Sequence, residues 1–285
     1  TEIYTLSLHD ALPILAVAFL PLVGVVARLA ERAVPDDAAA EGTGPRHLDE
    51  SALEAPSVAL ACAARETLRL GDLVEEMLRR SLEALRNGDK RAMATLSRMD
   101  DAVDALHTAI KLYLVKLGRE HLDEADGRRA GEILAFAINL EHVGDIIDKN
   151  LMELAAKKAR RGLRLAPEDL RAVEALHHRT LENLRTALGI FISEDRRLAR
   201  QLVGEKDAVR HMERAAAEDH LDRMRCGEAE GIEASALFLD VMRDLKRINA
   251  HAAAVAYPIL EKGGELRGSR LKGQAAFTPL RNRDA

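Results

Sequence analysis

Apolar residues recur at alternating steps of three and four along much of this chain, which is the spacing of one face of an α-helix. The pattern is clearest in residues 89–117. The apolar positions there form one continuous seam, made of Leu96, Met99, Val103, Leu106, Ile110, Tyr113 and Leu117. Other helices must cover such a seam, so the pattern predicts a helical bundle.

Helix-breaking residues divide the chain into two blocks of three helices each. No proline lies between Pro56 and Pro167, or between Pro167 and Pro258. In the first block, Asn-Gly and Gly-rich breaks predict helices over 58–86, 89–117 and 128–161. In the second block, Pro167 marks a helix start. Further breaks there lie at 193–195 and 226–227, and a last helix is predicted from 232 to about 257, stopped by Pro258.

The two blocks also match residue by residue. Asp89, Leu96 and Asp101 recur 106 positions later, and Leu140, Asp145 and Asn150 recur 99 positions later. The matching residues of the second block are Asp195, Leu202, Asp207, Leu239, Asp244 and Asn249. An internal duplication of a three-helix unit explains both offsets. We therefore predict an all-α fold of two tandem three-helix bundles, repeat 1 over 58–162 and repeat 2 over 166–260.

Composition narrows the functional classes. The chain is rich in helix-forming residues, has no Trp and carries a net charge of -5, so a nucleic-acid binder with a strongly basic face is not indicated. Cys62 and Cys226 stand far apart, without the spacing of a disulfide framework or a zinc site. No nucleophile elbow, phosphate loop or His/Cys dyad is found, and we expect no enzyme.

The beginning of the chain differs from the rest. Residues 1–14, TEIYTLSLHDALPI, contain no Lys or Arg, and codons that encode them resemble a common sequencing adapter, so we expect them to be non-native. Residues 15–34 begin with an apolar run that is too short for a bilayer, which needs about 20 residues. We interpret this segment as the remnant of a last transmembrane helix, with a core or amphipathic helix as the alternative. Residues 35–57 are predicted to be a linker, and 261–285 a disordered basic tail.

Carboxylates form a stripe on the third predicted helix of each block. Glu141, Asp145 and Asp148 follow i, i+4, i+7 spacing. Asp240 and Asp244 repeat the pattern, with Arg247 and His251 further along. Like charges one turn apart repel, and a bound cation removes that repulsion. Carboxylate and imidazole ligands suit Mg, Mn, Fe or Zn. The alternative is a solvated face neutralised by ion pairs with Arg243 and Arg247.

The E/D-x-x-x-D pattern on the third helix of each repeat resembles the PhoU family. That resemblance implies that a divalent or trivalent metal ion (Fe, Zn, Mn or Mg) is bound by Glu141, Asp145, Asp240 and Asp244. It makes Asp101 and Asp207 additional candidate ligands. The second repeat departs from the pattern, since Arg243 replaces Gly144 and Arg210 replaces Asp104. We therefore expect the two repeats to differ as metal sites.

A wider stretch is similar to the C-terminal region of bacterial sodium-dependent phosphate cotransporters. The similarity covers the apolar segment, a linker with His47-Leu48-Asp49 and Ala55-Pro56-Ser57, and both repeats. It implies an inner-membrane protein with residues 35–285 in the cytoplasm, regulating its own membrane domain, through which sodium and phosphate pass. Homodimerisation is compatible with it. The alternatives are a free-standing PhoU-type regulator of phosphate uptake signalling and a purely structural helical bundle.

Two remaining features concern basic residues and histidines. A basic run closes the third helix of repeat 1, made of Lys157, Lys158, Arg160, Arg161 and Arg164. These cations suit the helix dipole, and the alternative is contact with anionic lipid. His107, His177 and His178 lack carboxylates at ligand spacing, so we expect them at the surface or its boundary.

Overall fold

The computed structural model describes residues 44–119, 122–226 and 231–265. The predictions for residues 1–14 and 15–34, for the linker up to residue 43 and for the tail from residue 266 lie outside these ranges. The described residues from Pro45 onward belong to one compact unit.

Repeat 1 contains three helical rods. Helix α1 is Pro56–Asn87, α2 is Lys90–Leu117, and the third rod consists of α3 (Glu124–Asp145), a π-helical turn (Ile146–Leu151) and α4 (Met152–Arg161). Gly88 ends α1 with φ of 64°, a left-handed conformation that glycine adopts without strain. The Asp89 carboxylate then accepts the Arg91 backbone N–H at 2.8 Å and starts α2.

Repeat 2 follows the same plan. Its helices are α5 (Pro167–Ser193), α6 (Arg196–Arg225), α7 (Ile232–Ala252) and α8 (Ala256–Lys262), with a 3₁₀ turn at Ala253–Val255. The prediction that Pro258 stops the last helix is wrong, because Pro258 lies in the first turn of α8. A proline there removes no helical hydrogen bond, since the first N–H groups of a helix have no partner within the helix.

The two repeats share one apolar core. The first helices of the repeats, α1 and α5, pack against each other, and so do α3 and α7. The predicted seam of α2 is confirmed, with Leu96, Val103 and Leu106 fully buried. The all-α prediction is also confirmed, and the two three-helix units are joined by a single hydrophobic cluster that runs through both.

The described part of the predicted linker is fixed to repeat 1. Fully buried Glu66 on α1 accepts the backbone N–H groups of Arg46 at 3.0 Å and of His47 at 2.7 Å. The hydroxyl of Tyr113 on α2 donates to the Asp49 carbonyl at 2.8 Å. We call residues 46–49 the strap. In the described part of the chain, no helix is both long and apolar enough to cross a membrane.

His177 connects the repeats, contrary to the prediction that it lies at the surface or its boundary. Its side chain is buried, and its Nε2 atom lies 2.6 Å from the Leu78 carbonyl oxygen on α1, so Nε2–H donates to that oxygen. Burial lowers the pKa of His177 below its ordinary value. The neighbouring His178 is exposed, as predicted.

This arrangement predicts a pH-dependent stability. The pKa of His177 is lowered in the folded state, so the unfolded chain binds the proton more tightly than the folded chain. The stabilisation from the neutral ring is complete above the unfolded pKa of about 6.5 and is lost as the pH falls toward the folded pKa. Urea midpoints measured from about pH 7 to about pH 5 should therefore fall more steeply for wild type than for His177→Gln. The control His178→Gln should keep the wild-type slope, and equal slopes in all three proteins would contradict the assignment.

Candidate metal site

Three carboxylates converge where α2 passes the end of α3. One oxygen each from Asp100, Asp104 and Asp145 lies within 4.8 Å of the others. Asp100 is buried, Asp145 is half-buried and Asp104 is exposed. Within the described ranges, this is the group of His, Cys, Asp or Glu side chains whose spacing fits a metal ion.

Local sequence explains why these side chains meet. Asp100 and Asp104 are one turn apart on α2 and therefore share a face. Gly144 faces them from α3. A Cβ atom at Gly144 would lie 2.8 Å from Oδ1 of Asp100 and 3.3 Å from Cγ1 of Val103. The two helices can approach this closely because residue 144 has no side chain.

The helix changes form directly after Asp145. The π-helical turn Ile146–Leu151 begins at the next residue, and the Met152 N–H bonds to the Ile147 carbonyl, five residues back. Such turns insert an extra residue into a helix and are frequent at functional sites. Asp148 lies in this turn, and burial raises the pKa of its carboxyl group above the ordinary value.

The electrostatics of the cluster favour a cation. Asp100 is 4% exposed, and its Oδ1 atom has no hydrogen-bond partner. Burial, followed by the negative charges of Asp104, Asp148 and Asp145, raises the pKa of Asp100 to about 7. Lys149 offsets part of this charge, and its Nζ atom donates to Asp145. An all-oxygen donor set with excess negative charge suits a hard cation such as Mg²⁺ or Mn²⁺.

The sequence identified only part of this cluster. Asp145 belongs to it, whereas Asp101 is exposed and is not among the converging carboxylates. Glu141 lies one turn before Asp145, and its Oε2 atom is 3.7 Å from Nε2 of His142. Asp100 and Asp104 were not predicted as metal ligands, because the aspartate that recurs in both repeats is Asp101.

Two of the three corresponding positions of repeat 2 carry the opposite charge. With the offsets of 106 and 99, Asp100, Asp104 and Asp145 correspond to Lys206, Arg210 and Asp244. Lys206 lies over the Tyr257 ring, with its Nζ atom 3.3 Å from the hydroxyl. A second cluster of three carboxylates therefore does not form at these positions.

The predicted carboxylates of repeat 2 are held in ion pairs. Asp244 is 1% exposed and accepts a hydrogen bond from Nη1 of Arg247 at 2.9 Å. Asp240 pairs with Arg243 at 3.0 Å, and exposed Asp207 pairs with Arg210 at 3.0 Å. The ion-paired alternative therefore describes repeat 2, whereas the carboxylates of repeat 1 have the geometry of a cation site.

A family model and several curated proteins match this chain. The family model described as "PhoU domain" matches residues 67–154 and 173–259. A protein of Escherichia coli strain K12 named "Putative inorganic phosphate export protein YjbB" is 37% identical over 252 residues, which cover 87% of this chain and 46% of that protein. The protein of the same name from Salmonella typhimurium is 37% identical over 246 residues, covering 86% of this chain and 45% of its own length. The chain thus spans about half the length of these curated relatives.

Solved structures share the fold. PhoU from Pseudomonas aeruginosa superposes with a TM-score of 0.65 at 22% identity, covering 72% of this chain and 97% of that protein. The phosphate transport system regulatory protein PhoU from Streptococcus pneumoniae gives a TM-score of 0.65 at 20% identity, covering 74% and 99%. At these identities the likeness concerns the fold alone.

Gly144 provides a stability test of the close approach. Gly144→Ala should lower the free energy of unfolding by about 1–3 kcal/mol, because the added methyl group meets Asp100 and Val103. Gly189 is the matched control, since it is an exposed glycine within α5 that has no neighbouring atom within 4 Å of the added Cβ. Gly189→Ala should raise the same quantity by about 0.5–1 kcal/mol. Urea denaturation measures both, and equal stabilisation by the two substitutions would show that the helices are not in close contact at Gly144.

Proposed function

Because this chain belongs to the PhoU domain family, we propose that it is the cytoplasmic regulatory region of an inner-membrane phosphate transporter, with transport coupled to sodium. In this proposal the domain senses a metal ion through repeat 1 and controls the membrane domain to which it is joined. The sodium coupling rests on the sequence resemblance to sodium-dependent phosphate cotransporters.

One observation carries the metal part of the proposal. Oδ1 of the buried Asp100 carboxylate has no hydrogen-bond partner, and this carboxylate lies beside two others, Asp104 and Asp145. An unpartnered buried carboxylate among like charges is costly. A cation bound by the three oxygens offsets that cost. The ion-paired carboxylates of repeat 2 have no such need, so one metal site per chain is proposed.

The association with a membrane domain is supported by the curated relatives. Their name refers to inorganic phosphate export, and more than half of each relative lies outside the matched region. We assign phosphate movement to that other part of the protein and regulation to the helical repeats.

The strap provides a physical connection between the metal site and the chain that precedes the bundle. Asp100, Asp104 and Tyr113 all lie on α2, and Tyr113 holds the strap through the Asp49 carbonyl. A metal ion bound between α2 and Asp145 fixes the position of α2 against α3. The proposed regulation is a shift of α2 that reaches the strap, and through it the chain that precedes the bundle.

A free-standing PhoU-type regulator is the second candidate. The solved PhoU proteins favour this candidate, because the match to this bundle covers 97% of one of those chains and 99% of the other. Those proteins therefore need little beyond the two repeats. A purely structural bundle is a third candidate, and absence of metal binding would favour it.

Metal binding should stabilise the folded protein. After chelation, Mn²⁺ at about 100 times its dissociation constant should add about 2.7 kcal/mol to the free energy of unfolding of the full chain. Asp145→Asn should remove this effect because it deletes a charged ligand. Asp207→Asn should retain it, because Asp207 is exposed and paired with Arg210 in repeat 2. Loss of the effect in Asp207→Asn, or its retention in Asp145→Asn, would overturn the assignment to repeat 1.

The membrane proposal makes a separate prediction. The genomic sequence upstream of the codon for Leu15 should encode several apolar spans in frame, and the resulting protein in vesicles should move labelled phosphate in response to a sodium gradient. Asp145→Asn in that protein should change the phosphate flux while the amount of protein in the membrane stays the same. A start codon near the codon for Pro35 would contradict the proposal and favour the free-standing regulator.

A further inference from the structure

A cavity of about 440 Å³ lies between the two repeats. Its walls are apolar and come from both repeats, with Leu85 on α1, Val173 on α5, and Leu237 and Val241 on α7. Each of these side chains is less than 9% exposed, so they form part of the core and still border the cavity. The volume falls within the range of about 300–1,000 Å³ that is typical of small-molecule sites.

The duplication supplies an internal comparison. The corresponding contact between the repeats is the one where the end of α5 packs against the start of α3. The cavity at that contact has a volume of only about 30 Å³. Phe136 and Phe191 fill that space, with ring centroids 4.6 Å apart. With the offsets of 99 and 106, they correspond to Ser235 and Leu85. Of these two residues, Leu85 borders the cavity, which we call the open end. The repeats can therefore close this contact with an aromatic pair, and at the open end the pair is missing.

The rim of the cavity is positively charged. Arg86, Lys158 and Arg164 border the apolar walls. Arg86 is paired with Glu174, and Lys158 donates to the Arg86 carbonyl at 3.0 Å. Arg164 is exposed, and in the described ranges it has no ion pair. Glu174 neutralises Arg86, and Lys158 and Arg164 therefore leave the rim with excess positive charge.

We infer that this cavity binds an amphipathic anion with one alkyl chain. The chain lies between Leu85, Val173 and Leu237, and the carboxylate or phosphate headgroup lies at Arg164 and Lys158. Burial of the alkyl chain supplies the driving force, and the rim selects an anionic headgroup over a neutral one. Two sources have this chemistry, a free long-chain acid and the acyl chain of an anionic membrane lipid. The inference does not depend on the metal site, because the cavity is built from other residues.

The test uses calorimetric titration of the full chain with dodecanoate below its micellar concentration. Dodecanoate should bind, and uncharged dodecanol should bind about fivefold more weakly or not at all. Arg164→Ser should weaken dodecanoate binding about fivefold, whereas Arg214→Ser on α6, away from the cavity, should not change it. Leu85→Phe enlarges a wall residue of the cavity to the residue type that Phe191 provides at the closed end, and it should weaken binding at least about tenfold.

Folding of Leu85→Phe is checked by its thermal melt. If it unfolds, Leu165→Trp at a half-buried wall position fills the cavity instead, with the same expected loss. Sedimentation with phosphatidylglycerol vesicles distinguishes the two sources. Binding of dodecanoate in solution supports a free acid, and vesicle binding that is lost in the filled variants supports a lipid chain. The inference is overturned if neither probe binds, if the filled variants bind as wild type does, or if dodecanol binds as tightly as dodecanoate.

Discussion

The structure depends on the contact between the two repeats, because each three-helix unit leaves apolar residues on its first and third helices that only the other unit covers. Helices α1 and α5 approach so closely that a Cβ atom at Gly71 would lie 2.2 Å from Cδ2 of Leu188. The buried hydrogen bond from His177 to the Leu78 carbonyl lies in the same contact. The repeats are therefore parts of one cooperative core, and changes in one repeat can reach the other.

Within this frame the duplicated halves have diverged in two ways. The first is a reversal of charge, since Asp100 and Asp104 face Asp145 in repeat 1, whereas Lys206 and Arg210 stand at their positions in repeat 2. The second is a difference in packing, since one contact between the repeats is filled by Phe136 and Phe191 and its counterpart is a cavity. Among the described residues, repeat 1 thus has a carboxylate cluster that repeat 2 lacks, and a cavity lies at one of the two contacts between the repeats.

Most of the helices could be predicted because their signals are local. Periodic apolar residues, the Asn87-Gly88 break and the Asp89 cap act within a few residues of the chain. The site depends on how helices face each other, and there the sequence was less informative. Asp100 can be chosen over Asp101 only when it is known which face of α2 meets Gly144. The π-helical turn after Asp145 does not change the spacing of apolar residues in the sequence. The burial of His177 follows from the packing of α1 on α5. Once the face of α2 is known, the position of Asp100 within its apolar seam could have indicated a buried carboxylate.

We propose that a metal ion binds repeat 1 and not repeat 2. Anomalous diffraction from crystals of the full chain soaked in Mn²⁺ tests it directly, because the peaks locate the ion without any assumption about its ligands. We expect a peak bounded by Asp100, Asp104 and Asp145, and no peak at Lys206, Arg210 and Asp244. A peak of equal height in repeat 2, or a peak in repeat 2 alone, would contradict it.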